Sequence, residues 1–139
     1  MANTFAFEIV TPDKMLFVSE EVTYVGFRTL SGGMGIKAGH IPVIATLDVA
    51  PLKIHLADGK ELCFAVCGGF LEMNNGKCTI LATIAEQGDD IDVARANAAK
   101  ERAEGRLAAK GADLDVDRAK LSLKRAITRL HVSEILGKK

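Results

Sequence analysis

From Thr4 to Thr83 the apolar residues come in short runs separated by turn formers. The runs are "TFAFEIV", "VTYVGFRTL", "PLKIHLA", "ELCFAVC", "FLEM" and "CTILATI", and "TPDK", "LSGG", "ADGK" and "NNGK" punctuate them. Strand-length runs rich in β-branched and aromatic residues, bounded by Gly, Pro, Asn and Asp, predict many short strands. The Asp-Gly and Asn-Gly pairs supply the backbone conformation that tight hairpins require. Strands at this spacing predict an antiparallel β-sandwich or barrel. After "GDD", Gly88 to Asp90, the pattern changes: the rest holds no Pro and is dense in Ala, Arg, Lys, Glu and Leu, the strong helix formers. Asp89, Asp90 and Asp92 cluster where a helix dipole favours negative charge, and "KGAD" breaks the run, with Gly111 as C-cap and Asp113 as N-cap of a second helix. The expectation is β plus α: a sandwich over residues 1–88, then a two-helix hairpin over 89–139. Ala94, Ala98 and Gly105 on the first helix are expected to face Val116, Ala119, Leu123, Ala126, Ile127 and Leu130 on the second. Two helices with so little apolar area must dock on something.

Composition sharpens this division. All seven aromatic residues, Phe5 through Phe70, lie in the first half. At 139 residues and 48% hydrophobic content the chain can build a real core, which excludes disorder. Eighteen basic side chains balance eighteen acidic ones, so neither bulk nucleic-acid binding nor a polybasic membrane anchor is indicated. The most apolar run, Ile41 to Leu52, is too short to span a bilayer and carries Asp48, and the first residues lack a basic region followed by an apolar one, so neither membrane insertion nor a leader segment is expected. Locally the balance tips: the second half holds twelve basic and nine acidic residues, and no acid occurs between Arg118 and Ser133. Arg118, Lys120, Lys124, Arg125 and Arg129 therefore form either a solvated face or a docking surface for an acidic partner or phosphates.

Catalytic and metal chemistry find little support. Cys63, Cys67 and Cys78 are odd in number, and Cys63 and Cys67 stand ~13 Å apart along an extended strand, too far for a bridge. His40, His55 and His131 are scattered, with no ligand spacing, so no metal is expected. Neither a Ser/His/Asp set nor an arranged carboxylate pair is visible, which argues against an enzyme. The stretch "SGGMGIKAGHIPVI", Ser31 to Ile44, has the composition of a phosphate loop, but Pro42 and the strand formers behind it exclude the helix such a loop needs. It reads as a structural turn between strands.

Three stretches taken together, "SGGMGIKAGHIPVI", "CGGFLEMNNGKCTILA" and "DIDVARANAAKERAEGRL" followed by "LKRAITRL", resemble the ε subunit of bacterial F-type ATP synthases over essentially the whole chain. That resemblance implies a non-catalytic rotor subunit on the cytoplasmic face of the cell membrane, within the complex. Its sandwich would hold the γ subunit and meet the c-ring around Ser31, Gly33 and His40, with Gly33 standing where the family has an acidic residue. Its hairpin would be a regulatory arm whose Arg118, Lys120, Lys124, Arg125 and Arg129 meet an acidic segment of the catalytic β subunits of the α/β assembly and block ATP hydrolysis. No cofactor is required, but ATP is implied as a regulatory ligand of the folded hairpin. The "I-D-x-x-R-A" pattern places its site at Ile91, Asp92, Arg95 and Ala96, with Glu86, Arg102, Arg125 and Arg129. The alternative is a free-standing adaptor whose basic helix docks an acidic partner.

Overall fold

The structure, a computed structural model, describes residues 3–109, 111–112 and 114–137. Its elements are β1 (Phe5–Val10), β2 (Met15–Thr29), β3 (Gly32–Lys37), β4 (Val43–Leu56), β5 (Glu61–Asn74), β6 (Lys77–Ala82), β7 (Ala85–Gln87), a 3₁₀ turn (Gly88–Asp90), α1 (Val93–Ala109) and α2 (Val116–Gly137). Pairing runs β1-β6-β5-β4-β2 and returns from β2 to β1, so the sheet closes on itself; β3 extends β2 and β7 pairs with β5. Closure removes the unpaired edges that an open sheet would present. The pairings are antiparallel except β1 with β6, where the first strand returns beside the sixth after a long excursion.

Several strands of the sandwich are longer than the turn signals suggest. "ELCFAVC" and "FLEM" belong to one strand, β5, which bends through Gly68 and Gly69 at φ +84° and +130°. A Cβ on Gly69 would collide with the Leu81 carbonyl oxygen and lie 2.9 Å from the Ala82 Cα, so only glycine fits the bend. The first half of β5 pairs with β7 and the second with β6, while β4 follows it throughout. Pro51 likewise lies inside β4. The β2–β4 pairing is irregular between Leu47 and Lys53, a bulge that accommodates a residue without an N–H and carries Asp48. At the "NNGK" turn Asn75 and Gly76 take φ of +50° and +75°, the left-handed pair a two-residue hairpin demands.

The core lies between the sheet layers. Phe5, Phe7, Ile9, Val25, Ile54, Phe64, Leu71 and Ile80 are buried there, and the Phe17 ring tilts against Phe7 and Phe64 at centroid distances of 6.1 and 5.5 Å. From Cys63 to Cys67, β5 is buried on both faces. Phe64 and Val66 point into this core, whereas Cys63 and Ala65 point outward into a second, small cluster with Ile91 and Val132 of α2, against which Ile135 packs. Small outward side chains on the strand leave room for a helix to lie close.

The helices begin later than the acidic cluster suggests. Asp89 and Asp90 lie in the 3₁₀ turn, and the cap of α1 is Asp92, whose Oδ1 accepts the Arg95 N–H at 3.0 Å. Asp113 and Lys110 lie outside the described residues. An N-cap of α2 is supplied by Asp115, which accepts the Arg118 N–H at 3.0 Å. The seam of the hairpin agrees only in part with the expected one: Ala119 and Ala126 are buried as expected, and Ala98, Leu123 and Leu130 are half-buried. Ala96 and Ala103 are the buried residues of α1, whereas Ala94 and Gly105 are exposed. On α2, Ala119, Ala126, Thr128 and Val132 are buried, while Val116 and Ile127 stay 44% and 47% exposed. The cause is that α2 is gripped from two sides, by α1 and by β4 and β5, so its buried arc follows neither partner alone.

Candidate functional site

A cleft of about 320 Å³ opens where β7, the 3₁₀ turn, α1 and α2 converge. It is lined by Glu86, Asp90, Asp92, Arg95, Ala96, Ala99, Arg102 and Arg129. Glu86 comes from β7 and Asp90 from the turn after it; Arg95, Ala99 and Arg102 follow one another along one side of α1, at the three-to-four-residue spacing that keeps side chains on one helix face. Opposite them Arg129 reaches from α2, its Nε donating to Glu86 Oε1 at 2.6 Å. Arg95 and Arg102 make no ion pair among the described residues. The floor at Ala96 and Ala99 is small and apolar. Guanidinium groups converging from two helices above such a floor suit a ligand with a planar apolar part and an anionic part.

Six of the eight residues expected to bind ATP, Glu86, Asp92, Arg95, Ala96, Arg102 and Arg129, therefore line one cleft. Ile91 does not: it is 8% exposed and sits in the apolar cluster beneath α2, as an anchor of the arm. Arg125 does not either. Its Nε is buried with no hydrogen-bond partner among the described residues, and its charge, like that of Arg129, acts on Cys67 of β5. Sequence reasoning missed Asp90 and Ala99 as lining residues. Ala99 falls four residues after Arg95, so helical spacing would have found it; Asp90 is brought in only by the 3₁₀ turn.

The basic residues of α2 do not make one stripe. At 100° per residue Arg118, Arg125 and Arg129 share one side of the helix and Lys120 and Lys124 another. Lys124 Nζ lies 2.6 Å from Asp48 Oδ1 in the β4 bulge, and this ammonium, ahead of the Val49 N–H, holds the Asp48 carboxyl below the ordinary carboxylate range against the opposing effect of burial. Arg118 and Lys120 are exposed. Beneath the helix, burial raises the Cys67 thiol, an effect that the Arg129 and Arg125 charges oppose. In the sandwich core burial pushes Cys78 up to about 12. All three cysteines are buried.

On the sandwich, the glycine-rich stretch forms β3 and a loop, and the chain after it continues as β4 rather than a helix. Ser31 and Gly33 are exposed at the start of this segment, and the Ser31 N–H donates to Thr29 Oγ1 at 3.1 Å. His40 follows β3, with Nδ1 2.7 Å from the Ile41 carbonyl oxygen. Leu30, Ile41 and Ile44, in the segments around them, are 71%, 75% and 73% exposed. Among the described residues no group of His, Cys, Asp and Glu has the arrangement of a metal site, and no helix is long and apolar enough to cross a membrane.

Residues 4–88 match the family model "ATP synthase, Delta/Epsilon chain, beta-sandwich domain", and residues 89–134 match "ATP synthase, Delta/Epsilon chain, long alpha-helix domain". An ATP synthase epsilon chain of Lawsonia intracellularis is 47% identical over 135 residues, covering 97% of this chain and all of that one. Its counterpart from Brevibacillus brevis is 48% identical over 127 residues, covering 91% and 96%. The fold is shared with a chain in the Euglena gracilis mitochondrial ATP synthase, at a TM-score of 0.70 and 22% identity over 98% of this chain and 81% of the other. A closed β-sandwich that carries a docked helical hairpin, matched along both parts and at nearly half identity end to end, places the chain in the ATP synthase delta/epsilon family as a non-catalytic epsilon-type subunit.

Proposed function

We propose that this chain is the ε subunit of the central stalk of an F-type ATP synthase, held peripherally at the cytoplasmic face of the membrane, and that its hairpin is an arm regulating ATP hydrolysis, with ATP as ligand of the closed arm. Chains of the same fold in solved mitochondrial ATP synthase assemblies, one of F1 and c-ring and one of central stalk and c-ring, support the stalk placement. The sandwich would bind γ and meet the c-ring through the segment bearing Ser31, Gly33 and His40, where exposed Leu30, Ile41 and Ile44 offer the apolar surface a protein contact uses. When released, the arm would bring Arg118, Lys120, Lys124, Arg125 and Arg129 to an acidic segment of the catalytic β subunits.

The observation that carries the ATP reading is the cleft itself. Arg95 and Arg102 of α1 and Arg129 of α2 face one space only while the hairpin is folded against β7. A ligand held there stabilises the closed arm and opposes the open one, because binding shifts an equilibrium by its differential affinity for the two states. Asp92 is the cap of α1 as well as a lining residue, so its replacement would confound fraying with lost binding. The test is calorimetric titration of the full chain with ATP, comparing the wild type with Arg95→Ala, Arg102→Ala and Ala99→Leu. Saturable heat that the three substitutions abolish or weaken by more than tenfold supports the site; absence of heat at millimolar ATP with the hairpin folded refutes it.

A further inference from the structure

Among the described residues, two charged contacts of different kinds hold the closed arm to the sandwich. Arg129 and Glu86 lie in the wall of the cleft, so a bound anion would change that pair directly. Lys124 and Asp48 lie outside it. Asp48 is presented by the β4 bulge, its side chain only 20% exposed, with Oδ1 accepting both the Lys124 ammonium and the Val49 N–H, the latter at 2.8 Å. Backbone donation orients this carboxylate before the arm arrives. Lys124, 49% exposed on α2, lies five residues before Arg129, so the two contacts span more than one helical turn and fix both the position and the rotation of α2 on the sheet.

We propose that Asp48 is an autoinhibitory latch: a carboxylate of the sandwich that occupies Lys124 in the closed arm and thereby withholds this cation from an acidic partner while setting the arm's resting equilibrium without any nucleotide. An ammonium cannot serve Asp48 and a partner's acid at once, so capture by either releases the other. The proposal rests on the reading that the arm opens, and it adds a determinant outside the cleft. Ion pairs of this partly exposed kind shift an equilibrium by about two- to fivefold, enough to poise a switch without locking it.

Native thiols make the latch measurable. Cys63 and Cys67 lie on β5 under α2, each 3% exposed, whereas Cys78 is buried in the sandwich core at 0%. An aromatic disulfide reagent added to the full chain, with adducts located by peptide mass spectrometry, reports arm opening at the first two and sandwich opening at the third. Asp48→Asn, which keeps an oxygen for the Val49 N–H, and Lys124→Met are each expected to raise the labelling rates of Cys63 and Cys67 about two- to fivefold with Cys78 unchanged. The exchanged pair Asp48→Lys with Lys124→Asp is expected to bring the rates back toward wild type, and added salt to accelerate the wild type more than Asp48→Asn, in which the Arg129–Glu86 pair alone is screened. Labelling of Cys63 and Cys67 ahead of Cys78 at rates that neither substitution changes would overturn the latch and leave the mobile arm standing. Labelling of all three cysteines together in the wild type would overturn both.

Discussion

Replacing Val132 by Ala should open the arm while leaving the sandwich intact. Val132 is completely buried in the small cluster made with Cys63, Ala65 and Ile91, with Ile135 packed against it. The substitution removes two methyl groups from an apolar site, at about 0.8 kcal/mol each, or about 1.6 kcal/mol before any cavity contribution. That is roughly a fifteenfold shift toward the open arm, since about 1.4 kcal/mol is a factor of ten. The two ion pairs contribute ~0–1 kcal/mol each, so the apolar contact is the larger anchor although it involves few residues. Native-state hydrogen exchange checks this: the opening free energy of α2 amides from Ala119 to Leu130 should fall by about 1.6 kcal/mol, while the Ile9 and Ile80 amides in the sandwich keep theirs. Equal losses in both regions would show that arm and sandwich unfold as one unit. Unchanged α2 protection would show that this cluster does not hold the arm.

The bend of β5 offers a test of the sandwich alone. Gly69→Ala should lower its melting temperature by many degrees, because the added Cβ meets the Leu81 backbone at φ +130°, whereas Gly68→Ala, with nothing within 4 Å, should cost only the ~1 kcal/mol of a left-handed alanine; comparable losses would refute the steric account. Acid should loosen the arm through Asp48. Its carboxyl is held below 3.8 in the folded chain, so its stabilisation is fully present above that value and disappears as pH falls through the lowered one. Arm protection measured by hydrogen exchange, corrected for intrinsic rates, should therefore drop below pH 3.8 more in the wild type than in Asp48→Asn; identical profiles would remove Asp48 from the acid response.

Sequence alone determined the class of each half. Alternating apolar residues, Asx-Gly turns and the confinement of Phe and Tyr to the first half specify strands that must bury one face, and the Ala-rich second half specifies helices, because these are local preferences that each short window carries by itself. It determined as well that the Ser31–Ile44 glycines lead into a strand, since Pro42 and Val43 forbid the helix a phosphate cradle needs. Even most of the cleft was legible, through the family likeness that joined Asp92, Arg95, Ala96 and Arg102 to Glu86 and Arg129. Tertiary structure decided the rest. That "ELCFAVC" and "FLEM" form one bent strand depends on a close approach of the Gly69 and Leu81 backbones, which leaves no room for a Cβ at Gly69 and which no local window contains. The buried side of α2 could not be read from its own periodicity, because α1 and β5 press on it from different directions and leave Val116 and Ile127 outside. Arg125 and Arg129 are one turn apart and chemically alike, and both charges act on Cys67, yet Arg129 lines the cleft and pairs with Glu86 while Arg125 does not, a difference set by where Glu86 stands relative to the helix. The Lys124–Asp48 contact is of the same kind: it joins residues 76 positions apart through a bulge that exists only because β2 and β4 are paired out of step.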